Sequence, residues 1–291
     1  MIPEIDYLKA ENLPQALEAL AASKEKARLL AGGTDIVPGF HIRSKRFRDV
    51  RLLIDISQLP ELTSIVQKED GLHIGAATTF TSIVKHPIIK EHYPLLAQAS
   101  AQIGSVQIRN RATIAGNFVN NAPCADSVPP LLIYDAQIIV RSVNGQRRLP
   151  LGDFLLKPYR TQLAADEVVT EIILPRLNGA YRGEFYKLGR RRGVAISRIT
   201  LAVLLKMQGS VIDELRLAAG AITPIGKRFP ELEALAKGQK TTPDFLKELS
   251  IRLGEQILQV TGLRWSSPYK LPVVQQAFYN VLRKLSETAR E

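Results

Sequence analysis

The stretch Leu30-Ala31-Gly32-Gly33-Thr34-Asp35 decides the reading of this chain, together with Ala112-Thr113-Ile114-Ala115-Gly116-Asn117 and the Asn121-Ala122-Pro123-Cys124-Ala125-Asp126 run behind it. Each is an apolar run that breaks into small residues and ends on a polar side chain. Glycine has no Cβ, so a ligand can approach its backbone closely and φ can turn positive. Successive N–H groups in such turns converge on an anion, which favours phosphate. Thr34, Asp35, Thr113 and Asn117 place hydroxyl, carboxylate and amide groups beside the turns. Singly, each loop is an ordinary strand-to-helix turn. Together they can grip one long diphosphate from two sides, which points to a dinucleotide.

Outward from the first loop, Leu13, Ala16, Leu17 and Leu20 share a helical face over residues 13–22. Residues 27–31 and 52–56 read as strands of the same small α/β lobe, and Pro60 with the polar stretch to Asp70 reads as a lobe boundary. Residues 72–77 form a strand, after which the threonines at 78, 79 and 81 can cap a helix. Residues 92–103 are apolar at helical spacing. Asn144-Gly145 between apolar runs is a hairpin signal, and residues 168–174 are a strand stopped by Pro175. After Asn178-Gly179 the pattern changes. Residues 185–188, 199–207 and 215–221 read as an antiparallel sheet, followed by helices over 229–235, 243–260 and 268–285. Ser267 as N-cap and Pro268 behind it start the last helix, with Val274, Phe278, Val281 or Leu282, and Leu285 as its buried stripe.

Composition excludes several classes. A length of 291 residues with 45% hydrophobic content suits two domains with real cores. No run approaches the roughly 20 apolar residues of a membrane span, and Met1-Ile2-Pro3-Glu4-Ile5-Asp6 lacks the pattern of a secretory signal; the expected compartment is the cytoplasm. Cys124 is the single cysteine, so the chain carries no internal disulfide and cannot by itself supply the thiolates of an iron–sulfur cluster. The 4 histidines, His41, His73, His86 and His92, show no ligand spacing, and no metal site is expected. The net charge of +11 raises nucleic acid as a partner, but no aromatic interleaving or recognition helix accompanies the basic stretches at 43–51 and 187–192. Those stretches suit an acidic protein or an anionic electron acceptor. Gly220-Ala221-Ile222-Thr223-Pro224-Ile225-Gly226-Lys227 fails as a P-loop on its glycine spacing, and Arg228 stands where a magnesium-binding hydroxyl belongs. No Gly-x-Gly-x-x-Gly occurs, so a Rossmann site is unsupported.

The chain resembles the FAD-binding subunits of the molybdenum hydroxylases, the xanthine dehydrogenase and carbon monoxide dehydrogenase family. The resemblance runs through residues 29–36, 75–81, 105–135, 166–175, 187–196 and 263–270. Its most specific part is Val106-Gln107-Ile108-Arg109-Asn110-Arg111-Ala112-Thr113-Ile114 leading into Gly116-Asn117. It implies an α+β fold: a two-lobed FAD-binding domain of the vanillyl-alcohol oxidase type over residues 1–176, with lobes of about 1–57 and 58–176, then a C-terminal antiparallel sheet plus helix bundle over 177–291.

The resemblance further implies non-covalent FAD held by Leu29, Leu30, Ala31, Gly32, Gly33, Thr34, Asp35 and Ile36, by Ile103, by Thr113, Ala115, Gly116 and Asn117, and by Asp126, Val169 and Lys187. From the residues alone, Asp126 reads as a helix cap, Ile103 and Val169 equally as plain core, and Lys187 as a strand-edge lysine. Where the family has Gly-Gly before the asparagine, this chain has Ala115-Gly116, which requires negative φ at Ala115. Many members also carry an aspartate where this chain runs Arg192-Gly193-Val194-Ala195-Ile196.

The implied role is electron transfer from iron–sulfur centres to NAD⁺ or another acceptor. The iron–sulfur clusters and molybdenum cofactor would reside on separate partner subunits, with no catalytic side chain on this one. A non-catalytic assembly subunit and a stand-alone flavoprotein oxidase are the alternatives.

Overall fold

Asn12 and Pro14 start the first helix, the Asn12 side chain accepting from the Gln15 N–H. The helix is α1 (Leu13–Ser23), and Leu13, Ala16, Leu17 and Leu20 form its buried face, as their spacing predicts. In the computed structural model, which describes residues 4–191 and 193–287, that face packs with Ile54, Ile56, Leu59 and Leu62. Beneath it, β1 (Asp6–Lys9), β2 (Ala27–Leu30) and β3 (Leu52–Asp55) make a 3-stranded parallel sheet in the order β1-β3-β2. The sequence does not signal β1, because Asp-Tyr-Leu-Lys is almost wholly exposed and shows no apolar alternation.

The second lobe is a 5-stranded antiparallel sheet, order β4-β5-β10-β6-β7. Its strands are β4 (Ile65–Lys68), β5 (Gly71–Gly75), β6 (Gln137–Ser142), β7 (Gly145–Pro150) and β10 (Val168–Leu174). β10 lies at the centre and is buried along nearly its whole length. The β6–β7 hairpin closes by pairing Ser142 with Gly145, so the turn is Val143-Asn144, one residue earlier than the Asn-Gly signal suggests. Two short strands, β8 (Leu155–Lys157) and β9 (Arg160–Thr161), follow the helical turn α9 (Leu151–Phe154).

Short helices carry the loops. They are α2 (Ile36–His41), α3 (Phe80–Lys85), α4 (Pro87–His92), α6 (Val106–Arg109) and α7 (Ile114–Asn120). Thr79 caps α3, its hydroxyl accepting from the Ser82 N–H at 3.2 Å. The expected helix over 92–103 is shorter and begins at Pro94 as α5 (Pro94–Ala101), because Tyr93 and Pro94 separate it from α4.

The chain divides into two compact units that are not continuous in sequence. The first comprises residues up to 87, 103–121 and 135–176, and the second 88–102, 122–134 and the residues from 177 onward. The segment 122–134 contains α8 (Val128–Ile133), which is apolar on every side and wholly buried.

In the second unit, β11 (Arg182–Gly189), β12 (Ser197–Gln208), β13 (Val211–Gly220) and β14 (Lys227–Arg228) form a 4-stranded antiparallel sheet in chain order. Alternate residues Ile199, Leu201, Val203 and Leu205 join one core with α10 (Pro230–Ala236), α11 (Pro243–Thr261) and α12 (Ser267–Glu287). α8 packs on β12 and β13, and α5 on β11. The predicted α12 stripe of Val274, Phe278, Val281, Leu282 and Leu285 is buried. Ser267 does not cap forward as expected; its Oγ accepts from the upstream Arg264 N–H at 2.9 Å, which tightens the turn into the helix.

Candidate functional site

β2 delivers the chain into the first glycine turn, where Leu29 and Ala31 pack against the α1 core and the Leu30 carbonyl accepts from the Ile56 N–H. Gly33 has φ of 72°, the left-handed region that suits glycine. Gly32 is held by proximity rather than by φ. A Cβ there would stand 2.1 Å from the Arg111 carbonyl oxygen and 2.8 Å from the Ala112 Cα. The first loop therefore lies against the backbone at the start of the second.

Among the described residues, the backbone N–H groups of Gly32, Gly33, Thr34 and Asp35 donate to no protein acceptor. The carbonyls of Gly33 and Asp35, by contrast, accept from the Val37 and Gly39 N–H groups in α2. Consecutive N–H groups without partners at a half-buried turn make an anion cradle. The Asp35 carboxylate would oppose an anion, and Arg46 offsets it at 3.3 Å. Ile36 packs with the small cluster of Phe40, Phe47 and Val50.

The second loop is built on the first turn of α7. Thr113 is buried and its Oγ1 accepts from the Gly116 N–H at 3.2 Å. Ala115 lies in α7 outside the positive-φ residues, and its N–H donates to the Ala76 carbonyl, so the methyl group in place of glycine is accommodated. Asn117 is half-buried with its N–H donating to the Thr113 carbonyl. Ala76 in turn donates to the Thr170 carbonyl, which puts β10, with the buried Val169, next to this loop. Ile103 is buried and its carbonyl accepts from the Arg109 guanidinium at 3.0 Å.

Two residues of this unit act through side-chain contacts that their place in the sequence does not announce. Arg46 reaches Asp35 and Asn120, and lies over the rings of Tyr159 at 4.5 Å and Phe47 at 5.0 Å. It thus ties the first loop to the end of α7. Asn121 is left-handed at φ 47°, and its side-chain amide donates to the Lys157 and Arg160 carbonyls, both at 2.9 Å. Only long-range contacts reveal either role.

Asp126 and Lys187 belong to the second unit and meet there. The Lys187 Nζ donates to Asp126 Oδ2 at 2.7 Å and to the Gln102 carbonyl at 2.7 Å. The Ser197 hydroxyl donates to Asp126 Oδ1 at 2.5 Å. The two charged side chains are 6% and 7% exposed, so Lys187 is not a solvated edge lysine, and Asp126 does not cap α8. Burial pushes the Asp126 carboxyl above the ordinary carboxylate value, although Lys187 and Ser197 pull the other way. No neighbour in sequence marks Ser197 for this role.

Cys124 is half-buried. Among the described residues, no group of His, Cys, Asp or Glu could hold a metal ion, and no helix is long and apolar enough to cross a membrane. The basic stretch at 187–192 is described except for Arg192, which lies outside the described residues.

The unpartnered N–H groups at residues 32–35, the glycine that brings the two loops together, and the hydroxyl and amide donors at 113 and 117 fit a dinucleotide such as FAD. A family profile described as the FAD binding domain in molybdopterin dehydrogenase matches residues 3–177. One described as the CO dehydrogenase flavoprotein C-terminal domain matches residues 184–285. The chain is 34% identical over 271 residues to the putative xanthine dehydrogenase FAD-binding subunit of Escherichia coli K12, covering 92% of this chain and 91% of that one. It is 33% identical over 274 residues to the glyceraldehyde dehydrogenase medium chain of Sulfolobus acidocaldarius, covering 94% and 95%. A chain of the solved carbon monoxide dehydrogenase from Hydrogenophaga pseudoflava superposes with a TM-score of 0.89 at 26% identity, over 99% of both chains.

Proposed function

The chain belongs to the family of FAD-binding subunits of molybdopterin dehydrogenases, and on that premise we propose that it is the electron-transfer subunit of a heteromeric molybdenum hydroxylase, carrying electrons from iron–sulfur centres on a partner to NAD⁺ or another acceptor. The observation that carries this reading is the row of backbone N–H groups at Gly32, Gly33, Thr34 and Asp35 with no protein acceptor, closed against the second loop at Arg111.

The residues divide the work. The N–H groups of residues 32–35 hold the diphosphate, and Arg46 keeps the Asp35 carboxylate from repelling it. Thr113 fixes the first turn of α7, the helix that carries Asn117. Ile103 and Val169 offer apolar surface that excludes water. In the second unit, Asp126 and Lys187, which the resemblance assigns to FAD, form a buried ion pair, with Lys187 also held by the Gln102 carbonyl as a fixed positive charge. Bound FAD supplies the capacity to take up electrons one at a time and give them up as a pair, which no side chain of this protein offers.

A single cysteine cannot ligate an iron–sulfur cluster, so the clusters belong to other polypeptides, and we place the molybdenum cofactor with them. The family relatives are named as subunits or medium chains of dehydrogenases, which supports an oxidoreductase complex of this kind. The basic stretches at 43–51 and 187–192 supply charge for an acidic partner or acceptor, and the cytoplasm is the compartment in which we place the complex.

Purification from the native source tests this. Molybdenum, iron and flavin should elute together with additional chains, and the isolated polypeptide loaded with FAD should not oxidise purines, aldehydes or aromatic heterocycles. Steady turnover of such a substrate by the lone, molybdenum-free chain would replace the subunit reading with that of a stand-alone oxidase.

A further inference from the structure

The stretch 263–270 takes no part in the flavin loops, yet it carries an unusual concentration of charge and aromatic surface. Residues 188–212 and 256–286 contain no aspartate or glutamate, while they contain Arg190, Arg191, Arg198, Lys206, Arg264, Lys270, Arg283 and Lys284. Lys206 and Lys284 reach carboxylates on other segments, Asp213 and Glu184, and Arg283 lies near Glu287. Arg198, Arg264 and Lys270 have no such partner among the described residues.

Three local features position the segments that carry these cations. The pairing of β11 with β12 shifts between Leu188↔Ile199 and Gly189↔Ser197, leaving Arg198 as the extra residue of a bulge. Bulges re-aim side chains, and here the Arg198 guanidinium lies 5.6 Å from the centre of the Tyr269 ring. The turn before α12 is fixed by reciprocal bonds, Arg264 N–H to Ser267 Oγ and Ser267 N–H to the Arg264 carbonyl, each 2.9 Å. Lys270 is anchored by its Nζ donating to the Ala221 carbonyl at 3.0 Å. The Arg198 and Arg264 side chains make no hydrogen bond to protein among the described residues.

We propose that Arg198, Arg264 and Lys270 form an anion site for a phosphorylated small molecule, with Tyr269 and Trp265 as the aromatic surface on which a nucleotide base stacks. Guanidinium groups match phosphate oxygens in a two-pronged geometry, and unpaired ones at a rigid turn are already positioned for it. The cluster repels itself when empty: burial, with Arg198 and Arg264 nearby, holds the Lys270 ammonium below the ordinary lysine value. An anion relieves that repulsion. Tyr269 is 49% exposed and Trp265 86% exposed, so both rings are open to a base. The site lies wholly in the second unit and does not depend on the flavin reading.

Trp265 is the only tryptophan and therefore reports on its own site. Full-length protein saturated with FAD is titrated with ADP and, separately, with inorganic pyrophosphate, following tryptophan fluorescence and calorimetric heat. Flavin fluorescence, recorded in parallel, must stay constant, which distinguishes this site from displacement of FAD. Both ligands should give a saturable change that weakens with added salt. Arg198→Gln and Lys270→Gln should each raise Kd about tenfold or more, with melting temperatures unchanged in the absence of ligand. Tighter binding of ADP than of pyrophosphate assigns the site to a nucleotide; equal binding assigns it to phosphate alone. If Arg198→Gln melts early, Lys270→Gln decides. No saturable signal with either ligand by either readout, or unchanged Kd in Lys270→Gln, overturns the proposal.

Discussion

Two neighbouring glycines should fail in different ways when substituted. At Gly32 a methyl group would sit 2.1 Å from the Arg111 oxygen, 2.7 Å from its carbonyl carbon and 2.8 Å from the Ala112 Cα. All are backbone atoms, so Gly32→Ala must push the two loops apart, an overpacking cost of about 1–3 kcal/mol. At Gly33 the nearest atoms are the side chains of Leu30 at 3.3 Å and Val37 at 3.5 Å, which can move. The cost of Gly33→Val comes from φ of 72°, on the order of 1–3 kcal/mol for a non-glycine residue. The strained loop relaxes by turning its N–H groups away, and losing one hydrogen bond to a charged phosphate weakens binding by about tenfold or more. Calorimetric melts of the flavin-free proteins and FAD titrations followed by flavin fluorescence separate the two. Gly32→Ala should lose both melting temperature, at roughly 2–4 °C per kcal/mol, and FAD affinity. Gly33→Val should remain folded and lose affinity. Wild-type melting and wild-type affinity in Gly32→Ala would refute the contact between the loops, and wild-type affinity in Gly33→Val would refute the anion cradle.

Lys187→Met leaves the Asp126 carboxyl buried without its ammonium partner, a loss of about 3–5 kcal/mol when that carboxyl is ionised. An acid whose folded value is raised favours folding below its unfolded value and loses that contribution as pH rises through the folded one. The destabilisation of Lys187→Met should therefore grow from acidic to neutral pH, and Asp126→Asn in the same chain should remove that pH dependence; a pH-independent loss in urea melts would contradict the pairing. Arg46→Ala should cost about 1 kcal/mol of stability, since its ion pair is largely exposed and its stacking on Tyr159 and Phe47 contributes the remainder. Its FAD off-rate should rise because Asp35 is left without a counter-charge, and an unchanged off-rate by stopped-flow dilution would count against that role. Acid precipitation of the FAD-loaded protein should release all yellow colour into the supernatant; colour in the pellet would show a covalent link.

Much of this was legible before any coordinates. Long periodic helices such as α11 and α12 and the strands of the C-terminal sheet announce themselves, because burial on one side imposes a period. The glycine turns were legible for another reason: a backbone that must approach another backbone tolerates no side chain, and Gly32 against Arg111 is that case. The short helices α6, α7 and α8 span less than two periods, and Val-Pro-Pro-Leu-Leu-Ile reads as a break rather than as the buried helix it forms. Pro129 and Pro130 stand in its first turn, where no N–H is missed. The assignment of residues 88–102 and 122–134 to the C-terminal unit was equally hidden, since it depends on what α5 and α8 pack against. Arg46 and Ser197 act through partners up to 74 and 71 residues away, a relation that no local pattern encodes.

The central claim is that one FAD is held by the backbone of residues 32–35 and the turn at 113–117. A crystal structure of the full-length chain grown with FAD tests it most directly. The account predicts one flavin per chain, with diphosphate oxygens accepting from the N–H groups of Gly32, Gly33, Thr34 and Asp35 and the Thr113–Asn117 turn beside them. A flavin whose diphosphate lies elsewhere, or well-ordered glycine loops that bind no flavin at saturating FAD, would contradict it.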